Sequence, residues 1–296
     1  MLKIGIIGLS EGNGHPYSWS AIFNGFDELE MANCPFPVIL EYLKKESFPE
    51  NFLTELGRVT HIWTQDPVIS HKVAAAAKIE NIVIKKEDMI GQVDAVLLAR
   101  DDAENHFEMA LPFIKAGLPI FIDKPFSLKL SQAKEMLALQ KYESQVFTCS
   151  SLRFSNDFTL TKEEKDILGE IVYVEGTIMK KWETYGVHIL EPLVAQLPNR
   201  GKLIGVNSQK SGPIHLVNVK WENCLATLKL TGDLPSNLSI SFSGNTTTII
   251  KSYKDTFSSF KQTLKTFVET IESKKIQIPR NETLEIVEIL EKGNNA

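Results

Sequence analysis

Cysteine is scarce in this chain: Cys34, Cys149 and Cys224 are the only three in 296 residues, far apart and without metal-ligand spacing. An odd, scattered set excludes a disulfide-stapled scaffold and a cysteine-built metal site. It fits buried thiols in a reducing compartment, so a cytoplasmic location is expected. No apolar run approaches the ~20 residues that a membrane helix needs, and no membrane partner is expected. The opening stretch, Met1 to Gly8, is interrupted by Gly5 and Gly8 and followed at once by polar residues, unlike a secretory leader. Positive charge is in deficit as well. The chain has 32 Lys and Arg against 37 Asp and Glu, a net charge of -5, and lacks a basic block. A nucleic-acid partner is therefore not expected. Internal repeats and low-complexity tracts are absent.

What is present is the balance of an ordinary globular protein, 43% apolar and 23% charged, long enough for two domains. The first half alternates short apolar runs with amphipathic stretches. Strands are expected at Lys3–Leu9, Val59–Trp63, Ile82–Ile84, Ala95–Ala99, Pro119–Ile122 and Gln145–Ser150. Helices are expected at Pro16–Leu29, Val68–Ile79, Ala103–Ala116 and Ser131–Lys141. Such repetition builds a parallel sheet with right-handed crossovers. Ala32–Gly57, rich in Pro and Phe, interrupts the pattern and reads as an irregular insertion or flap. Beyond Leu152 the pattern turns mostly β, at Ile171–Met179, Leu203–Asn207, Ile214–Trp221, Cys224–Leu230 and Leu238–Phe242, with a helix over Val187–Leu197. Short turns predict a largely antiparallel, open-faced sheet. Two helices, Thr256–Lys274 and Glu282–Lys292, close the chain.

Four segments carry chemistry. The turn Gly8-Leu9-Ser10-Glu11-Gly12-Asn13-Gly14-His15 leaves the first strand and enters the first helix. Glycine there lets backbone approach a pyrophosphate, which the helix N-terminus then attracts. In ungapped register, however, the second and third glycines of a dinucleotide fingerprint fall on Ser10 and Asn13. Gly8, Ser10, Gly12 and Asn13 are the candidate cofactor contacts. The second strand ends in Thr64-Gln65-Asp66, where a ribose would be held; Thr64 and Asp66 are candidates, Asp66 reading equally well as a helix cap. The apolar strand before Asp123-Lys124-Pro125 places a charged pair at the ligand-binding edge of an α/β sheet. Lys124 can hydrogen-bond a substrate oxygen there. Finally, His188 lies near a helix start with Glu191 three residues on, hence on one face, an arrangement suited to proton transfer near neutral pH. The other five histidines lack a comparable context.

The order of these parts resembles the Gfo/Idh/MocA family of glucose–fructose oxidoreductase and inositol dehydrogenase. Val93–Ala99 followed by Asn105-His106 resembles its "VDAVxIATPxxxH" segment. Gly117–Pro125 resembles "AGKHVxxEKP", with Asp123 for the usual glutamate; Arg153-Phe154 resembles its "RF", and Gly186-Val187-His188 its "GxH". The resemblance spans nearly the whole chain. It implies that Lys124 holds the reacting hydroxyl and positions the nicotinamide, beside Asp123 as a further cofactor contact. It also implies that His188 is the general acid/base, with Arg153, Tyr185 and Glu191 near the substrate. The chain departs from the family pattern at Thr184, where many members have Asp, at Glu191, where many have Asp, and at Arg100-Asp101-Asp102, which lack the usual proline.

The expected fold is α/β: an N-terminal Rossmann-type doubly wound parallel sheet over 1–124, and a C-terminal α+β domain over 125–280 with a largely antiparallel open-faced sheet. The helix 281–293 is expected to pack back on the first domain. The expected activity is hydride transfer between NAD or NADP and a hydroxyl or carbonyl carbon of a sugar, polyol or sugar derivative. No metal is expected, and a homodimer or homotetramer through the C-terminal sheet is expected. Two alternatives are an NAD-dependent glycosidase and a dinucleotide-binding sensor or regulatory protein without catalysis.

Overall fold

The computed structural model describes residues 1–294. The chain divides into two compact units. One comprises Met1–Phe126, Lys134–Thr148 and Phe260–Ile278; the other comprises Ser127–Ala133, Cys149–Ser259 and the described residues from Pro279 onward. The segment that returns to the first unit is thus Phe260–Ile278. The helix expected to return, at 281–293, lies in the second unit instead.

The first unit is built on strands β1 (Leu2–Ile7), β2 (Gly57–Trp63), β3 (Asn81–Ile82), β4 (Ala95–Leu98), β5 (Ile120–Ile122) and β6 (Val146–Phe147). They form one sheet in the order β3-β2-β1-β4-β5-β6, with every pairing parallel. The order reverses between β1 and β4, and in such sheets the crevice beyond the strand C-termini at that point receives ligands. All four residues of β4 are buried, which explains its unbroken apolar run. Around the sheet lie α1 (His15–Asn24), α2 (Glu28–Ala32), α3 (Pro37–Leu43), α4 (Pro67–Ala76), α5 (Ala103–Ala116) and the C-terminal part of α6 (Leu130–Ala138). Trp19 of α1 stacks on Phe121 of β5 at 4.8 Å between ring centroids.

The helix expected over Pro16–Leu29 is two helices. Gly25 adopts φ +73° and ends α1, and Asp27 then caps α2 by accepting the amides of Leu29 and Glu30. The stretch Ala32–Gly57 is not a detached flap. Ile39, Leu43, Phe52 and Leu53 are buried, and the Leu53 amide donates to the Ile22 carbonyl of α1.

The second unit contains α7 (Lys162–Leu168), β7 (Ile171–Ile178), α8 (Trp182–Gln196), β8 (Leu203–Ser211), β9 (Ile214–Trp221), β10 (Leu225–Leu230), β11 (Ser239–Gly244) and β12 (Thr248–Ser252). Helix α9 (Thr256–Ser273) follows, most of it in the first unit, and α10 (Arg280–Gly293) closes the chain in the second. The sheet order is β12-β11-β7-β10-β9-β8. All pairs are antiparallel except β7 with β10. One face buries Val174, Val217, Val219, Leu228 and Phe242 in a common core with Ile189, Leu190 and Leu193 of α8 and Ile286, Ile289 and Leu290 of α10. This apolar stripe is why α10 belongs here. The other face carries residues such as Glu175, Asn218, Lys220 and Lys229, which remain exposed.

Helix α8 starts at Trp182, five residues before the expected Val187. Gly186 lies inside the helix. A Cβ there would stand 2.6 Å from the Trp182 ring, so the glycine admits the indole. Gly293 makes room for the same ring from α10, and the indole N–H donates to the Leu290 carbonyl at 2.9 Å.

Candidate active site

In the first unit the candidate cofactor residues lie at the C-terminal edge of the parallel sheet, on the loops after β1, β2 and β5. Gly8 is held against Pro16, where a Cβ would come within 2.3 Å of the ring. Gly12 has φ +76° with no atom within 4 Å of where a side chain would begin, an open backbone cradle. Ser10 donates its hydroxyl to Asp101 at 2.6 Å and accepts the Asp101 amide. Asn13, buried, donates to Asp123 at 3.0 Å and accepts the His15 amide.

Asp123 is the hub of this edge, only 1% exposed. One carboxylate oxygen accepts the Lys124 amide at 2.7 Å, and the other meets both Asn13 and Nδ1 of His15, the latter at 2.5 Å. The His15 ring is stacked on Trp19 and meets Phe260 edge-on. The Lys124 ammonium, 6% exposed, pairs with Asp101 at 3.3 Å. Burial alone would raise the Asp101 carboxyl, but the Lys124 charge and the Ser10 hydroxyl hold it below the usual carboxylate range. The Lys124–Pro125 peptide is cis.

Toward β2, Gln65 bonds both the amide and the carbonyl of Leu9, and Arg100 donates to Gln65 and Leu9 while forking onto Asp102. Thr64 and Asp66 shape the turn into α4. Thr64 donates to the Asp66 carbonyl at 2.6 Å, and Asp66 caps α4 through the Val68 amide at 2.8 Å. Asp66 therefore has the capping role that the sequence left open.

In the second unit His188 of α8 has Nδ1 2.7 Å from Ser150 Oγ and lies edge-on to Tyr185, ring centroids 5.2 Å apart. Arg153 and Glu191 lie deeper. The Arg153 guanidinium donates to Glu191 at 2.9 Å and also to Glu282. Burial, reinforced by the Glu282 charge, outweighs Arg153 and pushes the Glu191 carboxyl up to about 7.

Sequence reasoning missed His15, Asp101 and Ser150. His15 and Asp101 had a local signal, since each directly adjoins a predicted strand-to-helix turn. Ser150 had none, because its partner is 38 positions away in the chain. Among the described residues no cluster of His, Cys, Asp and Glu could hold a metal ion, and no helix is long and apolar enough to cross a membrane.

These features fit a dinucleotide. The first turn of α1 holds no acidic residue, so the positive end of its dipole suits an anion. The Gly12 cradle leaves space for it, and of the nearby acids Asp101 is paired with Lys124 while Asp123 is bonded by Asn13 and His15. Parallel sheet, switch point and the glycine turn that opens α1 together define a Rossmann-type dinucleotide-binding protein.

The chain matches over residues 2–150 the model of the GFO_IDH_MocA oxidoreductase family with its NAD-binding Rossmann fold. It belongs to that family. The Escherichia coli (strain K12) oxidoreductase YhhX is 41% identical over 77 residues, which cover 25% of this chain and 22% of YhhX. The match thus spans about a fifth of that curated relative's length. Among solved structures, GenD2 from gentamicin A biosynthesis, determined in complex with NAD, superposes with a TM-score of 0.74 at 12% identity, covering 98% of this chain and 92% of GenD2. The apo scyllo-inositol dehydrogenase of Lactobacillus casei gives a TM-score of 0.72 at 12% identity, covering 99% and 95%. At such identities the likeness is one of fold.

Proposed function

We propose that this protein transfers hydride between a nicotinamide dinucleotide and a hydroxyl or carbonyl carbon of a sugar, polyol or sugar derivative. The observation that carries the reading is Lys124: a buried ammonium at the tip of β5, next to Asp123 and linked through Asp101 to the glycine turn. A bound nicotinamide ring supplies the hydride acceptor or donor. Lys124 donates a hydrogen bond to the substrate oxygen, stabilising negative charge on it. Asp101 keeps the ammonium oriented. His188 exchanges the hydroxyl proton through Nε2, since Nδ1 is engaged by Ser150. Tyr185, edge-on to His188, contributes to the substrate surface. Arg153 and Glu191, buried against each other, support the site rather than touch substrate.

Thr64 and the capping role of Asp66 leave no committed acid for the ribose hydroxyls, so both NAD and NADP are tested. The exposed face of the second unit's sheet is the proposed surface for a homodimer or homotetramer. Thermal-shift titration with NAD(H) and NADP(H) comes first, because ligand binding raises apparent stability by mass action. Polyols and sugars are then screened for reduction of the bound nicotinamide, followed by absorbance. Turnover on at least one polyol or sugar is expected. Dinucleotide binding without turnover on a broad panel would favour a sensor, a reading that the Thr184 position and the Asp101–Lys124 pair would then support. Sugar release with no net change of cofactor would indicate glycoside cleavage.

A further inference from the structure

The second unit carries a cavity that the hydride-transfer reading does not use. It has a volume of about 180 Å³ and lies at the start of α8, beside the end of β7 and the hairpin that joins β8 to β9. A single water needs only ~10–15 Å³ of such space. Three lysines line the cavity: Lys180 and Lys181 from the β7–α8 connection, and Lys210 from β8. Glu183, Trp182 and His215 line it as well. We propose that this cavity is a binding site for an oxyanion of the phosphate class.

The first support is charge. The chain as a whole is acidic, with a net charge of -5, yet here three ammonium groups stand against one carboxylate. Among the described residues none of the three lysines forms an ion pair. The second is the helix end. Helix α8 is 15 residues long, and its N-cap residue, Lys181, provides no side-chain cap. The amides of Trp182, Glu183 and Thr184 have no acceptor among the described residues, and the Tyr185 amide is the first to be taken, by the Lys181 carbonyl at 2.9 Å. Those N–H groups and the positive end of the dipole open at the end of the helix where the cavity lies. The third is His215. It is 7% exposed, and its Nε2 is buried without a hydrogen-bond partner, although buried polar atoms are normally satisfied. Burial and the Lys210 charge hold the ring below its ordinary range, against the pull of Glu183. The neutral ring offers one N–H to an oxyanion.

These donors outnumber what a carboxylate can accept, and they suit a multiply charged anion with three or more oxygens. Glu183, an acceptor, suits a hydroxyl next to that anion. Lys180 adopts φ +74°, and its amide donates to the Gly232 carbonyl at 2.7 Å. Glycine would take this conformation at no cost; the ammonium is what lysine adds. His188 lies six residues after Trp182 on the same helix, about 9 Å along its axis at ~1.5 Å per residue. The oxyanion is therefore either a free ion or the phosphate of a sugar that reaches His188.

The test is calorimetric titration of the full chain with inorganic phosphate at constant ionic strength. Binding at about 1 mM or tighter is expected. Lys180→Ala with Lys210→Ala should weaken it about tenfold or more. His215→Phe, which keeps a ring without its nitrogens, should weaken it too. Lys220→Ala with Lys229→Ala, which removes the same charge from the exposed sheet face, should leave it near native. Circular dichroism verifies that each variant is folded. Absence of binding at about ten times that concentration overturns the proposal. So does native affinity in either cavity variant, or an equal loss in the two lysine pairs. A second titration uses glucose 6-phosphate. Tighter binding than inorganic phosphate, lost in the Lys180/Lys210 pair, assigns the site to a phosphorylated sugar, and equal affinity assigns it to the free ion; both support the site. No turnover is measured, so this site and the hydride-transfer reading stand or fall separately.

Discussion

The Lys124 ammonium and the Asp101 carboxylate lie 3.3 Å apart, one at the end of β5 and the other just beyond β4, both on the edge where the parallel sheet's crevice opens. The acid stands where the family's pattern has no charge. It gives the lysine a counter-ion, and it ties the lysine to Ser10 of the glycine turn.

This pair has a pH signature. The folded state holds Asp101 below its ordinary range, so the unfolded chain binds more protons in that window and stability rises with pH there. The contribution is present above about pH 4 and is lost as pH falls through the folded value. Asp101→Asn should cost about 1–2 kcal/mol at pH 7 and little at pH 3, by urea denaturation at both. An equal cost at the two pH values would show that the pair does not act through charge.

Glu191 has the opposite sign. Its folded carboxyl is pushed up to about 7, so the native state holds a proton that the unfolded chain gives up earlier. Stability from this group is present below about pH 4.5 and declines as pH rises toward 7. Glu191→Gln, which keeps an acceptor for Arg153, should flatten that decline by about 1–3 kcal/mol. Parallel pH profiles for the two proteins would rule this out.

Gly186 is a packing glycine. An alanine there would meet the Trp182 ring at 2.6 Å, and overpacking of this kind costs about 1–3 kcal/mol, against a helix-propensity gain of about 1 kcal/mol. The net expectation for Gly186→Ala is a lower denaturation midpoint. A variant as stable as the native chain would mean that the indole can shift freely.

His15 stands in the first turn of α1 with Nδ1 committed to Asp123. Its position at the end of the glycine turn leads us to expect that His15→Gln weakens NAD binding about tenfold by calorimetry, the size of one hydrogen bond to a charged group. An unchanged affinity would assign His15 to packing between Trp19 and Phe260.

His188→Ala should lower turnover about 10²–10⁴-fold while leaving dinucleotide affinity near the native value, because the imidazole acts in proton transfer rather than in cofactor binding. Parallel loss of both would point instead to a collapse of α8.

Most of the fold is legible in the residues themselves. The parallel strands announce themselves because burial on both faces demands unbroken apolar runs such as Ala95–Leu98. Helix α5 and strand β9 have the expected bounds, the first because Gly117 takes the left-handed conformation that ends it. The short strand β12 and helix α7 were not read. β12 is an edge strand of five residues, none of them buried, and α7 rests on a local capping box between Thr161 and Glu164 that no hydrophobic run marks.

The sequence by itself determined the doubly wound half, the β-rich half and the chemical types at Lys124, Asp123 and His188, because periodicity and turn residues act over a few positions and are written locally. Only the tertiary structure decided who meets whom: Asp101 with Lys124, His15 with Asp123, Ser150 with His188, Trp182 with two glycines 107 residues apart, Gly186 and Gly293. Each of those choices is made by packing that joins distant segments and by the need of buried polar atoms for partners, and neither leaves a mark at the position itself.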